Sequence, residues 1–168
     1  LAAIALPTLL KRWKDRPVML TGAWVLLGGL GAALFADSIE TLLPVWVFLG
    51  TGFSTVQTPI GRLLTQSSHG EDRPALFAAQ FSLSHAGWLF AYPLAGWLGS
   101  SAGIQLTLML LATLGLAFLI AAIRLWPADD PLVLAHSHAD LPSNHPHRVE
   151  SGPEHSHRYV IDELHPRW

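Results

Sequence analysis

The sequence predicts an all-α fold: a polytopic bundle of transmembrane helices followed by a flexible polar tail. Three observations carry this expectation. Only 13% of the 168 residues are charged, about half of the roughly 25% usual in soluble globular proteins. Residues 17–36, 41–61 and 74–123 contain no Asp, Glu, Lys or Arg, and uncharged apolar runs of this length belong in a bilayer. From Pro127 onward the composition changes abruptly: seven of the nine histidines and six of the twelve prolines lie there. The mean hydropathy of +0.37 is modest because this tail dilutes it. A soluble domain interleaves charge along its solvent faces, so a cytosolic single-domain enzyme is unexpected.

A helix needs roughly 20 residues to cross a ~30 Å hydrocarbon core. Residues 17–36 and 41–61 each predict one span. The 50-residue run 74–123 would make a rod of about 75 Å. Gly99, Ser100, Ser101, Ala102 and Gly103 form a turn signal that divides it into spans 74–98 and 104–123. Residues 1–10 read as the last turns of a further span. The first residue is Leu and no signal peptide opens the chain, so the expectation is a fragment lacking its N-terminal part. The expected domains are a bundle over 1–126 and a histidine-rich tail over 127–168.

Basic residues predict orientation. If Lys11, Arg12, Lys14 and Arg16 are cytoplasmic, alternation places Arg62, Arg73, Arg124 and the tail's Arg148, Arg158 and Arg167 on the same side. That accounts for all ten Lys and Arg and leaves none on the opposite loops, as the positive-inside rule requires. The expected location is the plasma (inner) membrane with the tail in the cytoplasm. Trp residues near span ends suit an interfacial belt. Gly28, Gly29, Gly31, Ala32 and Ala33, then Gly50 and Gly52, then Gly96 and Gly99, offer small surfaces for close helix approach. Pro59 and Pro93 inside spans predict kinks. The absence of cysteine removes disulfides and thiolate metal sites.

This order of features resembles the C-terminal half of a major facilitator superfamily transporter, covering about helices eight to twelve. The segment Leu9-Leu10-Lys11-Arg12-Trp13-Lys14-Asp15-Arg16-Pro17 looks like a degenerate second copy of the family's cytoplasmic basic loop. Only Asp15 and Arg16 match; Lys11 and Val18 stand where the family has glycines. Residues from Ala91 to Gly99 look like its eleventh helix, and Gly61-Arg62 through Arg73-Pro74 like the connection before it. The resemblance implies two six-helix halves rocking about a midplane site, with the first half absent from this chain.

No acidic or basic side chain lies within the four spans, so the transport-cavity candidates are His85, Gln57 and Gln80. His85 lies about 16 Å from the start of its span, and ionisable groups near the bilayer centre often line ion or substrate paths. Its imidazole can carry a proton or ligate a cation. Phe81, His85 and Trp88 share one helical face.

The tail holds three His-x-His pairs: His136 with His138, His145 with His147, and His155 with His157. In an extended chain residues two apart project to one side, so each pair can offer two imidazoles to one ion. Imidazole without thiolate suits nickel, cobalt, zinc or copper. Three Arg against seven Asp and Glu give the tail a net charge of −4 with His neutral, and its prolines and polar composition predict a disordered or loosely structured segment until something binds. The apolar island Tyr159-Val160-Ile161-Asp162-Glu163-Leu164 is expected either to dock on the bundle or to form a short element.

Together with the resemblance, these residues imply a secondary transporter working by alternating access. It would be an efflux carrier, with a divalent metal ion (nickel, cobalt or zinc) as the preferred substrate. Its histidine-rich end is similar to those of nickel-resistance exporters, although spaced pairs replace a dense run. No cofactor is required beyond a transition metal on the tail; the partners are the lipid bilayer, the other half of the transporter and the solute. The alternatives are an exporter of drugs or other organic compounds with an incidental or regulatory tail, and a metal-buffering membrane protein without transport. An enzyme is not expected: membrane di-iron enzymes need histidines three or four apart on rigid helices. No phosphate-binding loop or basic surface points to nucleotides or nucleic acid.

Overall fold

A computed structural model describes residues 13–128, 133–137, 142, 154–158 and 161. The bundle is all-α. Its elements are α1 (Asp15–Ala33), α2 (Ile39–Gln57), the short α3 (Ile60–Gln66), α4 (Arg73–Ala102) and α5 (Ile104–Leu125), followed by strands β1 (Val133–Ser137) and β2 (Glu154–Arg158).

Local chemistry sets the helix ends. Asp15 places a negative charge in the first turn of α1, where the exposed amides favour it. The last turn of α1 tightens, with the amides of Leu34, Phe35 and Ala36 donating to carbonyls three residues back. Ser38 and Thr41 cap α2 reciprocally: Thr41 N–H donates to Ser38 Oγ at 3.3 Å and Ser38 N–H to Thr41 Oγ1 at 3.1 Å. Pro59 has no amide to donate, and the helix breaks there; Pro59 becomes the N-cap of α3. Pro93, by contrast, sits inside an α4 that continues through it. Pro74 occupies the first turn of α4, where a missing amide is harmless.

The turn between α4 and α5 is narrower than the sequence suggests. Ser100 and Ser101 remain helical and return their hydroxyls to the Trp97 carbonyl, at 3.0 and 2.7 Å. Gly103 alone makes the turn, at φ 86° and ψ 158°, a region open essentially only to glycine. Its carbonyl then accepts from the amide and hydroxyl of the buried Thr107. Gly103→Ala is expected to destabilise the protein by about 1–3 kcal/mol, read as a lower melting temperature of the purified protein; an unchanged melting temperature would count against this turn.

The closest packing joins α1 to α2, and α1 also packs on α5, which packs on α4. A Cβ at Gly22 would lie 3.0 Å from the Gly52 carbonyl oxygen, and one at Gly29 would lie 2.8 Å from Leu49 Cδ2. Gly115 meets Leu27 in the same way at 3.0 Å. Of the glycines singled out in the sequence, Gly29 and Gly52 make these approaches, whereas Gly28, Gly31, Gly50, Gly96 and Gly99 face open space.

The described core is thin, with Val18, Val45 and Leu119 as its buried hydrophobic residues. Leu83 and Phe90 are each 74% exposed and Phe118 is 67% exposed. Such an outward apolar surface is stable only in an apolar solvent. Three stretches, α1, α2 together with α3, and α5, are long and apolar enough to cross a membrane. The 30-residue α4, with Gln80, Ser82, Ser84 and His85 in its first half, is not among them.

Two short strands are described in the tail, which the sequence leaves as disordered or loosely structured. β1 and β2 pair antiparallel, with Val133 opposite Arg158, His136 opposite His155 and Ser137 opposite Glu154. All six tail prolines fall outside the two strands, so neither loses a ladder amide. Ile161, in the apolar island, donates its N–H to the Gln66 carbonyl at 3.0 Å. Ile161 therefore meets the end of α3.

Candidate functional site

The buried polar groups Asp15, Gln66 and Ser68 gather at the basic end of the bundle, where α1 begins and α3 and α5 end. Asp15 and Arg16, the two residues that matched the family loop, are both engaged there, with different partners. The Arg62 guanidinium, from α3, grips both carboxylate oxygens of Asp15: Nε–H donates to Oδ1 at 2.9 Å and to Oδ2 at 3.0 Å, and Nη2 pairs with Oδ1. Arg16 reaches the other way. Its Nε–H donates to the Trp126 carbonyl at 3.0 Å and its Nη2 to the Ile123 carbonyl at 3.2 Å, satisfying acceptors that a helix C-terminus leaves open. Adjacent residues at the start of α1 thus clamp α3 and the end of α5. A cavity of about 670 Å³ opens beside this clamp, lined in part by Lys14, Asp15, Arg16, Gln66, Ser67 and Trp126.

His85, Gln57 and Gln80 line no part of that cavity, and among the described residues no hydrogen bond joins the three. Gln57 is the last residue of α2, just before the break at Pro59. Gln80 and His85 lie on α4, which buries none of its side chains. His85 Nδ1 lies 2.8 Å from the Phe81 carbonyl oxygen. A carbonyl only accepts, so in this bond Nδ1–H is the donor, and Nε2 lies outside it. The ring stacks against Phe81 at 3.8 Å and lies 5.0 Å from Trp88, which in turn lies 6.2 Å from Tyr92. Four rings therefore run along one exposed face of α4. Spacing on a helix foretold the first three; Tyr92 extends the row.

Sequence reasoning missed Arg62 as the partner of Asp15, having used it only as a cytoplasmic marker. The available signal was a lone charge just beyond a 21-residue uncharged run, opposite an Asp at the start of another. Gly22 was also missed. Among the tail candidates, His136, His155 and His157 fall within the strands, whereas His138, His145 and His147 lie outside the described residues, as do residues 1–12.

The sequence profile of the Major Facilitator Superfamily matches residues 1–152. The chain belongs to the Major Facilitator Superfamily. No curated protein and no solved structure gives a significant match. Membership makes this superfamily chain an integral membrane protein and a secondary transporter, of a class whose members typically carry solutes without chemically changing them.

Proposed function

We propose that this superfamily member exports a divalent transition-metal ion, nickel, cobalt or zinc, from the cytoplasm by alternating access, with its histidine-rich tail on the cytoplasmic side. The observation that carries the reading is the set of three His-x-His pairs in a tail of net charge −4, a composition that attracts cations and offers imidazole nitrogen. Support comes from His85, an imidazole on an open face of α4. This bundle would pair with a second six-helix half around a midplane site, to which His85, Gln80 and Gln57 would contribute. The clamp of Asp15 and Arg16 lies at the end assigned to the cytoplasm, where such halves separate and close.

The test is growth in nickel, cobalt and zinc of cells expressing the transporter, beside a version truncated after Pro127 and a His85→Ala version. The intact protein is expected to raise tolerance and both changes to lower it. If none of the three metals responds, metal export is overturned. The row Phe81, His85, Trp88 and Tyr92 then favours export of a flat organic compound that stacks on rings, and the tail becomes incidental or regulatory.

A further inference from the structure

We propose that the cavity beside the Asp15–Arg62 clamp seats one anionic phospholipid, with its phosphate at Lys14 and Arg16. The lipid comes from the leaflet at the basic end of the bundle, the inner one by the positive-inside rule. Charge selects an anion. Lys14, Arg16 and Asp15 are the charged residues of the cavity wall, and Asp15 is already held by Arg62. Among the described residues neither Lys14 nor Arg16 is paired with an acid, so positive charge is left in surplus. Arg16 donates from Nε and Nη2 to the carbonyls of Trp126 and Ile123. A guanidinium has five N–H donors, so Arg16 keeps donors for a phosphate oxygen as well. Ser67, exposed on the same wall, adds a hydroxyl.

Shape selects a lipid over a free anion. The rest of the wall is apolar and runs along α5 into the membrane span. Leu125 ends that helix and is 83% exposed, Ala122 lies one turn further into the span, and both line the cavity with Leu63 of α3. Trp126 lines it at the span end, where an indole suits the headgroup layer. The volume of about 670 Å³ falls within the ~300–1,000 Å³ of sites that take whole organic ligands, more room than one phosphate ion fills. Basic pockets between transmembrane helices hold anionic headgroups in this way: the phosphate meets cations while the acyl chains stay in hydrocarbon. The competing occupant is the tail, since Ile161 donates its N–H to the carbonyl of Gln66, a residue of the same wall. The site is independent of metal export and is measured without transport.

The experiment titrates the purified transporter in a neutral detergent with phosphatidylglycerol and counts bound lipid by native mass spectrometry, with phosphatidylcholine and inorganic phosphate as parallel additions. One tightly held phosphatidylglycerol per chain is expected, and phosphatidylcholine at the same concentration should not be retained. Lys14→Gln should weaken binding about fivefold, the effect of one basic side chain at an anionic surface. Ala122→Trp keeps every charge but fills the apolar end, and should weaken it at least as much. Arg124→Gln removes an exposed cation at the same end of the bundle that does not line the cavity, and should leave binding unchanged. Lys14, Ala122 and Arg124 are all exposed, so these variants should fold, and thermal unfolding checks each. The site is overturned if phosphatidylcholine is held equally, or if Arg124→Gln weakens binding as much as Lys14→Gln, since the attraction is then diffuse. It is also overturned if excess inorganic phosphate displaces the lipid while Ala122→Trp changes nothing, the mark of a free-anion site. Lipid held only after truncation past Pro127 would make the tail the occupant and overturn the site as well.

Discussion

Arg62→Ala is expected to destabilise the transporter more than any other single change at its basic end. The Asp15 side chain is only 4% exposed, and its carboxylate is paired with a guanidinium that is 28% exposed. Removing the cation strands a buried negative charge. Breaking a buried ion pair from one side costs roughly 3–5 kcal/mol, and the partial exposure of Arg62 places this pair near the lower end, at about 3 kcal/mol. The dipole at the start of α1 offsets a little of the loss. Arg62→Lys should fall between the two, because an ammonium keeps the charge but not the fork that meets both oxygens. Thermal unfolding of the purified protein reads these differences. If Arg62→Ala melts with the parent, the pair contributes nothing and the clamp is an incidental contact.

Gly52→Ala is expected to have the second large effect, from the addition of a single carbon. A Cβ at this position would lie 2.7 Å from the Leu26 backbone nitrogen and 2.8 Å from the Gly22 carbonyl oxygen. Backbone atoms cannot swing aside as a side-chain tip can, so α1 and α2 must separate along their whole contact. Overpacking of this kind costs about 1–3 kcal/mol, and larger residues at the same site should be worse. Gly50→Ala, two residues away, meets nothing within 4 Å and is expected to melt with the parent. The pair of substitutions shares a helix and a chemistry, so equal melting temperatures would show that the α1–α2 approach is not close.

The contrast between Gly50 and Gly52 shows where reading the sequence stops. Both glycines lie in an apolar run, and both mark a surface suited to close packing. Only one is used. Hydropathy does not distinguish them, because lipid tails and a neighbouring helix are equally apolar and the rotation of α2 about its axis leaves no trace in composition. Arg62 and Asp15 tell the same story in charge: each was visible as a residue near a span end, but their contact spans 47 positions and depends on how two helices meet. The turn at Gly103 was half legible. A run of Gly and Ser marked the place, yet the serines satisfy themselves within the helix by bonding back to Trp97, leaving the glycine to turn the chain alone.

The all-α class, residence in a bilayer and superfamily likeness were determined by the sequence itself, since they follow from local quantities: lengths of uncharged runs, the tally of basic residues and the spacing of prolines and glycines. The spacing of Phe81, His85 and Trp88 was legible for the same reason, the fixed period of one helix. Tertiary structure alone decided which glycines touch, that Asp15 and Arg16 clamp two different helices, that Ile161 docks on Gln66, and that His136 stands opposite His155. Each of these is a meeting of segments far apart in the chain. It is set by helix rotation and strand register, and no window of neighbouring residues contains either one.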